Sequence, residues 1–583
     1  MSELEGDARP GPALRRLMLE PLLVIVFTLL TLILGYNGLA AYYHGQPFTR
    51  VDLFYMTLQL FVLQHTVDPG KADAALSFAR FAAPLLASYA AVRALMAVLA
   101  EPLKTRRLAW LHGHVIICGL SRKGLQLLKD FQSQGVQTVV IEWDKENDLI
   151  ETARAFGALV LLGDASEEVT LRKAGIDRAS YAFAVCREDG VNAEIALIAE
   201  RICGEGGSGD GQQLTMFIHI WSLKMCELLK RRGLLERRTA GFRCRVFNIY
   251  ENIAREVLRS YPLDWQPIRK DDPRTVHLII VGMGSIGECI ALQAAKIGHF
   301  ANGKRLQITA IDKSGRERRS QFLARYPFIH KVCDIEFLHG DFEDPDVLAQ
   351  LERYARDPNR LISVAVCLAD DSRNLAAAIY FSDAFKHAQI PVRVRMNRKA
   401  GLARLAEEPG GSGRRLEVFI VTEGYCSERE IVGTERDKLA QAAHESYRAM
   451  AGANPYPPWD DLAEEIKEFN RQVADHTDVK LRTIGCENVP AGQADPNFAF
   501  TPEETEILAR MEHSRWCAAQ YIAGYQFGKT PDGTRDLERR VHPMLIPWEE
   551  LPELNRNKDR NNVVRIPEWL RTIGRGIKRK NSE

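Results

Sequence analysis

Two short stretches of one design, far apart in the chain, set the strongest limit on how it can fold. His277–Glu288 reads HLIIVGMGSIGE, an apolar run ending in Gly282-x-Gly284-x-x-Gly287, and His114–Gly124 reads HVIICGLSRKG. A short apolar run closed by spaced glycines is how a parallel strand turns into a helix over a phosphate. The echo continues in step. GDASEEVTLRKAGI from Gly163 is answered by GDFEDPDVLAQLERY from Gly340, and AVCREDGVNAEIALIAERI from Ala184 by AVCLADDSRNLAAAIYFSDAF from Ala365. The middle of the chain is therefore one α/β module used twice.

These modules are expected to be Rossmann-like domains over 110–265 and 274–425. The full fingerprint uses one glycine for the turn, one for close approach of a pyrophosphate and one for helix packing. Gly282, Gly284 and Gly287 supply all three, and the next strand, Leu306–Ile311, ends in Asp312, an acid placed to bond ribose hydroxyls. The first module offers Gly119, Ser121 and Gly124, where the Ser121 side chain crowds the phosphate, and its second strand, Thr138–Ile141, ends in Glu142. Arg122 and Lys123 at its helix start either hold a phosphate or cap a solvated surface. Asp164 and Asp341 follow the third strands, where a Gly-Asp pair either edges the same cleft or simply makes a turn. NAD(H) or another nucleotide is the expected regulatory ligand, with the second module the better site. Neither module carries a hydride-transfer constellation, so no catalytic residue is assigned and an enzyme is not expected.

A chain of 583 residues exceeds a single core, and its formal charge of +1 gives no reason to expect nucleic acid as a partner. Its 11 cysteines form no CxxC pair, so neither a disulfide framework nor a zinc site is expected. After each module's fifth strand come segments of another kind, Thr215–Leu234 with Cys244–Arg259 and Val392–Ala406 with Glu417–Ala449. By composition, GEGGSGDGQ at 204–212 and PGGSG at 409–413 are expected to be flexible surface loops.

The start of the chain is of another character. After a short N-terminal stretch, 1–17, residues 18–105 contain two long apolar runs, 19–43 and 74–100, each long enough to cross a bilayer of about 30 Å hydrocarbon. Arg9, Arg15 and Arg16 precede the first run, and Lys104, Arg106 and Arg107 follow the second. By the positive-inside rule both termini are expected to face the cytoplasm, and the plasma (inner) membrane, crossed more than once, is the expected location. Between the runs, 51–66 reads VDLFYMTLQLFVLQHT, too short to cross as a helix. It is either a re-entrant half-helix or an amphipathic segment on the outer surface. Arg80 and Arg93 either snorkel to the interfaces or face a pore.

Span, short helix, span and then a nucleotide-binding-type fold: this order resembles the two-helix potassium-channel family with cytosolic regulator-of-conductance (RCK, Trk-type) domains. That family carries TVGYG or a close variant after its pore helix, whereas this chain reads Leu63-Gln64-His65-Thr66-Val67-Asp68 with no glycine before Gly70. The resemblance thus implies the architecture, with Thr57, Gln59, Gln64, His65 and Thr66 as candidate lining of a wider, less selective opening. It also implies a homo-oligomer, four chains giving eight modules of a gating ring, with the segments after each fifth strand pairing domains.

Beyond Pro490 charged helices carry aromatic and histidine punctuation. Glu512-His513-Ser514-Arg515-Trp516, Gly524-Tyr525-Gln526-Phe527-Gly528, His542-Pro543-Met544-Leu545-Ile546-Pro547 and Asp559-Arg560 follow in order. They are similar to the ryanodine-receptor repeat (RyR) domain, and with an upstream helix, Lys438–Met450, the resemblance covers 430–575. It implies a mainly α-helical domain. Glu512 and Arg515 are neighbours on the helix carrying His513 and Trp516. With Tyr525, Phe527, His542 and Arg560 they either wall a pocket for a flat phosphorylated ligand or form the domain's core, with Asp559-Arg560 a structural ion pair. His513 and His542 lack a third clustered ligand, so no metal is expected. The whole reads as a ligand-gated channel or channel-like protein; the alternative is a membrane-anchored nucleotide sensor without a conducting pore.

Overall fold

The computed structural model describes residues 12–64, 67–205, 213–232, 238–239, 241–385, 389–397, 416–421, 426–432, 435–450, 456–530 and 534–580. It divides into two compact units, Met1–Trp110 and Leu111–Glu583.

The first unit holds α1 (Pro12–Tyr42), α2 (Arg50–Phe61) and α3 (Ala74–Ala109). Two stretches, Leu23–Tyr42 and Ala74–Met96, are long and apolar enough to cross a membrane. Their outward faces show Leu23, Phe27, Phe81 and Leu85 to the surroundings, as a helix bathed in lipid would. Small residues let α1 and α3 approach closely: a Cβ on Gly38 would stand 2.6 Å from that of Leu76. Reciprocal bonds between Thr49 and Asp52 begin α2, a capping box that satisfies two otherwise orphan N–H groups. The helix ends sooner than expected, and Leu63 just beyond it has a left-handed φ of 59°.

Of the residues expected to line an opening, Thr57 sits instead inside this three-helix unit. It is 1% exposed, its methyl lies against Gly35 of α1, and its hydroxyl donates to the Leu53 carbonyl. A hydroxyl satisfied by its own helix can be buried at little cost, so nothing draws Thr57 toward water. Gln59 is half-buried and Gln64 exposed. His65 and Thr66 lie outside the described residues.

The second unit carries both α/β modules and the C-terminal helices. The first module runs β1 (Val115–Cys118), α4 (Arg122–Ser133), β2 (Thr138–Glu142), α5 (Leu149–Ala155), β3 (Leu159–Leu162), α6 (Glu168–Ala174), β4 (Tyr181–Ala184), α7 (Asp189–Glu205) and β5 (Leu214–His219). There follow α8 (Leu223–Arg232), β6 (Arg238–Thr239), β7 (Phe242–Phe247) and α9 (Ile249–Ser260). The second runs β8 (Thr275–Val281), α10 (Ser285–Ile297), β9 (Gln307–Asp312), α11 (Gly315–Arg325), β10 (Asp334–His339), α12 (Pro345–Ala355), β11 (Arg360–Val366), α13 (Asp371–Ala384), β12 (Val392–Met396) and β13 (Leu416–Ile420).

The sheets are ordered β3-β2-β1-β4-β5-β7-β6 and β10-β9-β8-β11-β12-β13. Every pairing among them is parallel except β6 with β7. The central strands are buried on both faces, which is why they read as unbroken apolar runs rather than alternating ones. In both modules the chain crosses over after its third strand, and the switch point lies between β1 and β4 and between β8 and β11, where an open α/β sheet offers a crevice.

The C-terminal part is mainly helical: α14 (Glu428–Ile431), α15 (Glu435–Met450), α16 (Glu464–Thr483), α17 (Pro502–Ile522), α18 (Glu553–Val564) and α19 (Ile566–Thr572). An antiparallel pair joins β14 (Cys486–Pro490), just after α16, to the C-terminal strand β17 (Arg575–Arg579); two-residue β15 (Gln526–Phe527) and β16 (Val541–His542) also pair. One continuous apolar core runs from the first module through α9 and α10 into α17. The three parts of this unit therefore share an interior rather than hanging on linkers.

Candidate functional site

Each module begins with a strand, a glycine turn and a helix, and the glycines divide by physical need. Gly119 and Gly282 have φ of 99° and 96°, where a side chain is strained. A Cβ on Gly124 or Gly287 would fall 2.3 or 2.1 Å from the carbonyl oxygen of Gly119 or Gly282. These four are demanded by the turn itself. Gly284 is different: its backbone is extended, and a Cβ there would meet nothing within 4 Å. It caps α10 and faces open space, so its bareness serves whatever approaches that helix end, where free N–H groups favour an anion. Ser121 holds the same place on α4 with nearly the same backbone, exposed and making no cap bond.

The acids at the ends of β2 and β9 reach back to these turns. Glu142 Oε2 accepts from the Leu120 N–H at 2.8 Å and from Asn147 Nδ2 at 3.1 Å, and Oε1 accepts from the Asp144 N–H. Asp312 Oδ2 accepts from the Met283 N–H at 2.8 Å and Oδ1 from the Ser314 N–H. Glu142 is 5% exposed and enclosed by its bonds, whereas Asp312 is half-buried, with lone pairs left for a ligand. The third-strand acids differ too. Asp164 makes a local turn, accepting from the Ser166 N–H and hydroxyl. Asp341 bridges Lys313 at 2.8 Å and Arg373 at 2.7 Å across the mouth of the second cleft. Burial pushes the Asp341 carboxyl up, but Lys313, the Phe342 N–H and Arg373 outweigh it and hold it below the usual range.

In the C-terminal domain His513, Trp516 and His542 come together, His513 stacked on Trp516 at 5.8 Å and Trp516 edge-on to His542 at 4.7 Å. Both ring nitrogens of His513 meet acceptors: Nε2 lies 2.8 Å from the Ile546 carbonyl and Nδ1 3.5 Å from Asp559 Oδ2. Burial opposes charge on this ring, but Asp559, with Cys517 and the Ile546 carbonyl, holds its pKa up at about 10. His542 is the reverse, pushed down to about 4 by burial and Arg535, and its Nδ1 accepts from the Met544 N–H.

The other expected pocket residues stand apart. Tyr525 is buried with the Arg540 guanidinium 5.5 Å from its ring centre, and Phe527 is 52% exposed. Arg560 is bound at 2.7 Å to Glu506 and 2.6 Å to Glu553, which leaves no free cation there for a phosphate. The pairing expected between Asp559 and Arg560 is replaced by Asp559 with His513 and Arg560 with those two glutamates, because each finds a partner on a facing segment. Among the described residues no group of histidine, cysteine and acidic side chains is placed to hold a metal.

Residues 115–206 match the TrkA-N domain family. Part of the chain is 31% identical over 98 residues to "Potassium channel protein 1" of Methanocaldococcus jannaschii, covering 16% of this chain and 29% of that one. It is 32% identical over 99 residues to an uncharacterized protein of Methanothermus fervidus, covering 17% and 15%. The chain thus spans less than a third of either relative. Among solved structures it aligns with the GsuK channel bound to NAD (TM-score 0.37, 15% identity, 71% of this chain and 82% of that one). It also aligns with GsuK bound to ADP (TM-score 0.35, 18% identity, 71% and 96%), and with the human SLO3 gating ring (TM-score 0.36, 8% identity, 68% and 90%).

Sequence inspection missed several residues that shape the TrkA-N domain and its partner module. Fully buried Asn192 and Asn374 each clasp the loop after the fourth strand, taking an N–H and giving to a carbonyl of one residue, Cys186 in the first and Leu368 in the second; Asn192 gives also to the His219 carbonyl. Strand register pairs Cys118 with Ala184 and Val281 with Val366. The two AVC tripeptides, matched letter for letter in the repeat, are thus offset by one position, since pairing follows backbone hydrogen bonds rather than identity. Lys123 was also missed: the residue is half-buried, with its ammonium enclosed. It stands where the second module has buried Ile286, its ammonium 3.0 Å from the Trp221 ring centre and without a hydrogen-bond partner among the described residues. Burial drives its pKa down to about 8 against the pull of Cys426 and Asp189. The signal available in the sequence was the alignment of Lys123 with Ile286.

Proposed function

We propose that this chain is a membrane-anchored, channel-like protein whose tandem modules sense a nucleotide, with NAD(H) the first ligand to test, and pass its binding on to the helical hairpin. The observation that carries the reading is the second cleft, where Gly284 keeps the space over the α10 N-terminus open and Asp312 stands at the neighbouring strand end. A pyrophosphate on the helix end and a ribose on the acid would use both. The TrkA-N match and the partial likeness to a potassium channel protein support a channel-associated regulatory role. Binding acts by differing affinity for two states of the protein.

Transmission has a physical carrier within the second unit. Buried Asp475 of α16 receives Arg255 of α9 at 3.2 Å, Gln293 of α10 at 3.2 Å and Arg436 of α15 at 2.7 Å. One carboxylate thus holds both modules and the C-terminal domain. In this reading four chains assemble in an inner membrane with both termini cytoplasmic, the C-terminal domain is a ryanodine-receptor-type repeat, and no reaction is catalysed. Purified protein in liposomes is expected to change its cation flux on addition of NAD(H) or ADP. Absence of flux under every nucleotide tried sinks the channel reading.

A second reading, a membrane-anchored sensor without a pore, is favoured by the lack of glycine between Leu63 and Gly70 and by the burial of Thr57. Cysteine-accessibility labelling at 64, 65 and 66 separates the two. Protection of all three from aqueous reagents supports the pore-free form.

A further inference from the structure

The seam between the second α/β module and the C-terminal domain forms an open pocket of about 280 Å³. One wall is the segment from His299 to Arg305 with Lys331 and Val332; the other is the α17 face from His513 to Tyr521 with the segment from Leu545 to Trp548. Its lining is one-sided in charge. Lys304, Arg305 and Lys331 contribute cations, and no aspartate or glutamate lines it. Arg305 is partly spoken for by Asp334 at 3.0 Å and the His330 carbonyl, and Lys304 by the Pro273 carbonyl. Lys331 is exposed and makes no ion pair among the described residues. In the opposite wall sits His513, its Nδ1 3.5 Å from Asp559. The remaining lining includes the partly exposed Tyr521 and Ile546 and the exposed Pro547, with buried Phe300 and Trp548 behind them.

We infer that this seam binds a small anion with a flat apolar part, of the class of nucleoside mono- and diphosphates. Lys331 takes the phosphate, and the aromatic wall takes the base. The volume stands near the lower end of small-molecule sites, about 300 Å³, which suits one nucleotide. The site is separate from the Gly284 cleft. That cleft opens at the C-terminal ends of β8 and β9, whereas the seam uses residues that precede β9 and β10, at the opposite edge of the sheet. The six residues of β9 put the two about 20 Å apart. A ligand touching both walls is held only while the seam is closed, so it fastens the C-terminal domain to the second module and biases whatever states differ in that contact. The inference rests on the reading of the C-terminal domain as a ligand sensor.

Equilibrium dialysis of the full-length, detergent-solubilised protein with radiolabelled ADP tests it, with Gly284→Val removing the cleft. Wild type is expected to bind two equivalents per chain and Gly284→Val one. Adding Lys331→Glu, or Ser514→Trp to fill the cavity, is expected to weaken the remaining site at least about tenfold with an unchanged circular dichroism spectrum. If Ser514→Trp misfolds, the surface change Lys331→Glu still decides. A Gly284→Val protein that retains no ADP overturns the seam, as does a residual site indifferent to Lys331→Glu. If Gly284→Val keeps both equivalents while Lys331→Glu loses one, the seam stands and the cleft reading fails.

Discussion

The two α/β modules share strand order, turn geometry and the asparagine clasp, yet they differ at the positions a ligand would feel. The second leaves Gly284 bare, keeps Asp312 half-open and holds Lys313 and Arg373 over the cleft mouth through Asp341. The first puts Ser121 at the glycine position, encloses Glu142 and makes a local turn with Asp164. It also has a lysine, Lys123, where its partner has isoleucine, and an exposed Trp143, where its partner has Lys313. One copy of the module has stayed open and the other has closed upon itself. The lesson is that a repeated scaffold separates what the fold requires from what the site requires: residues common to both serve the turn, and residues that differ mark the division of labour.

The comparison breaks most sharply at the glycines. Gly287→Val is expected to unfold the second module, costing about 4 kcal/mol or more, because its Cβ collides with a backbone carbonyl that cannot move. Gly284→Val, three residues away, is expected to leave the melting temperature unchanged while weakening nucleotide binding about a hundredfold, roughly 2.7 kcal/mol. Calorimetry showing undiminished affinity in the second variant removes this module from the mechanism.

The acids give the next largest contrast. Glu142→Ala strands the buried Leu120 N–H and leaves the Asn147 amide only the Leu120 carbonyl, and is expected to lower stability by about 1–3 kcal/mol without altering nucleotide affinity. Asp312→Ala is expected to lower affinity about tenfold with a smaller loss of stability. Equal effects of both on affinity would show that the modules bind alike.

Lys123→Ile, which writes the second module's residue into the first, is expected to stabilise the protein by about 1–3 kcal/mol at pH 7, the cation–π contact offsetting part of the gain. The pH dependence supplies the check. Folded, Lys123 loses its proton near 8; unfolded, it keeps it to about 10.4. Between those values the unfolded chain binds the extra proton, so wild-type stability rises with pH across the window. The isoleucine variant is expected to lack that rise, and a denaturation series that keeps it would assign the slope elsewhere.

The smallest effect concerns the cleft mouth. Arg373→Ala leaves Asp341 its Lys313 partner and is expected to alter stability by less than about 1 kcal/mol, as for exposed pairs generally. Its effect on nucleotide affinity tells whether the bridge gates the cleft.

Much of this was legible in the sequence, for local reasons. The strands and turns of both modules announced themselves because apolar runs and spaced glycines report a backbone path that neighbouring residues alone impose. The two long apolar helices were equally plain, since length and composition suffice. Less legible was α2: its apolar run continues past Phe61, but the helix stops there and Leu63 turns left-handed. The C-terminal candidates were harder still. His513, Trp516 and His542 do converge, but Arg560 is taken by Glu506 and Glu553, and no spacing rule reveals which carboxylates a folded chain brings to a guanidinium.

The sequence by itself therefore determined the doubled strand-turn-helix scaffold and the apolar hairpin, both written in short-range pattern. Only the tertiary structure decided that Gly284 faces open space while Gly287 faces a carbonyl, that the Lys123 ammonium is enclosed against Trp221, that His513 meets Asp559, and that a basic pocket lies between the second module and the C-terminal domain. Each of these depends on atoms brought together from distant segments, and the energy of a charge or a cavity is set by that surrounding rather than by the residue's own identity.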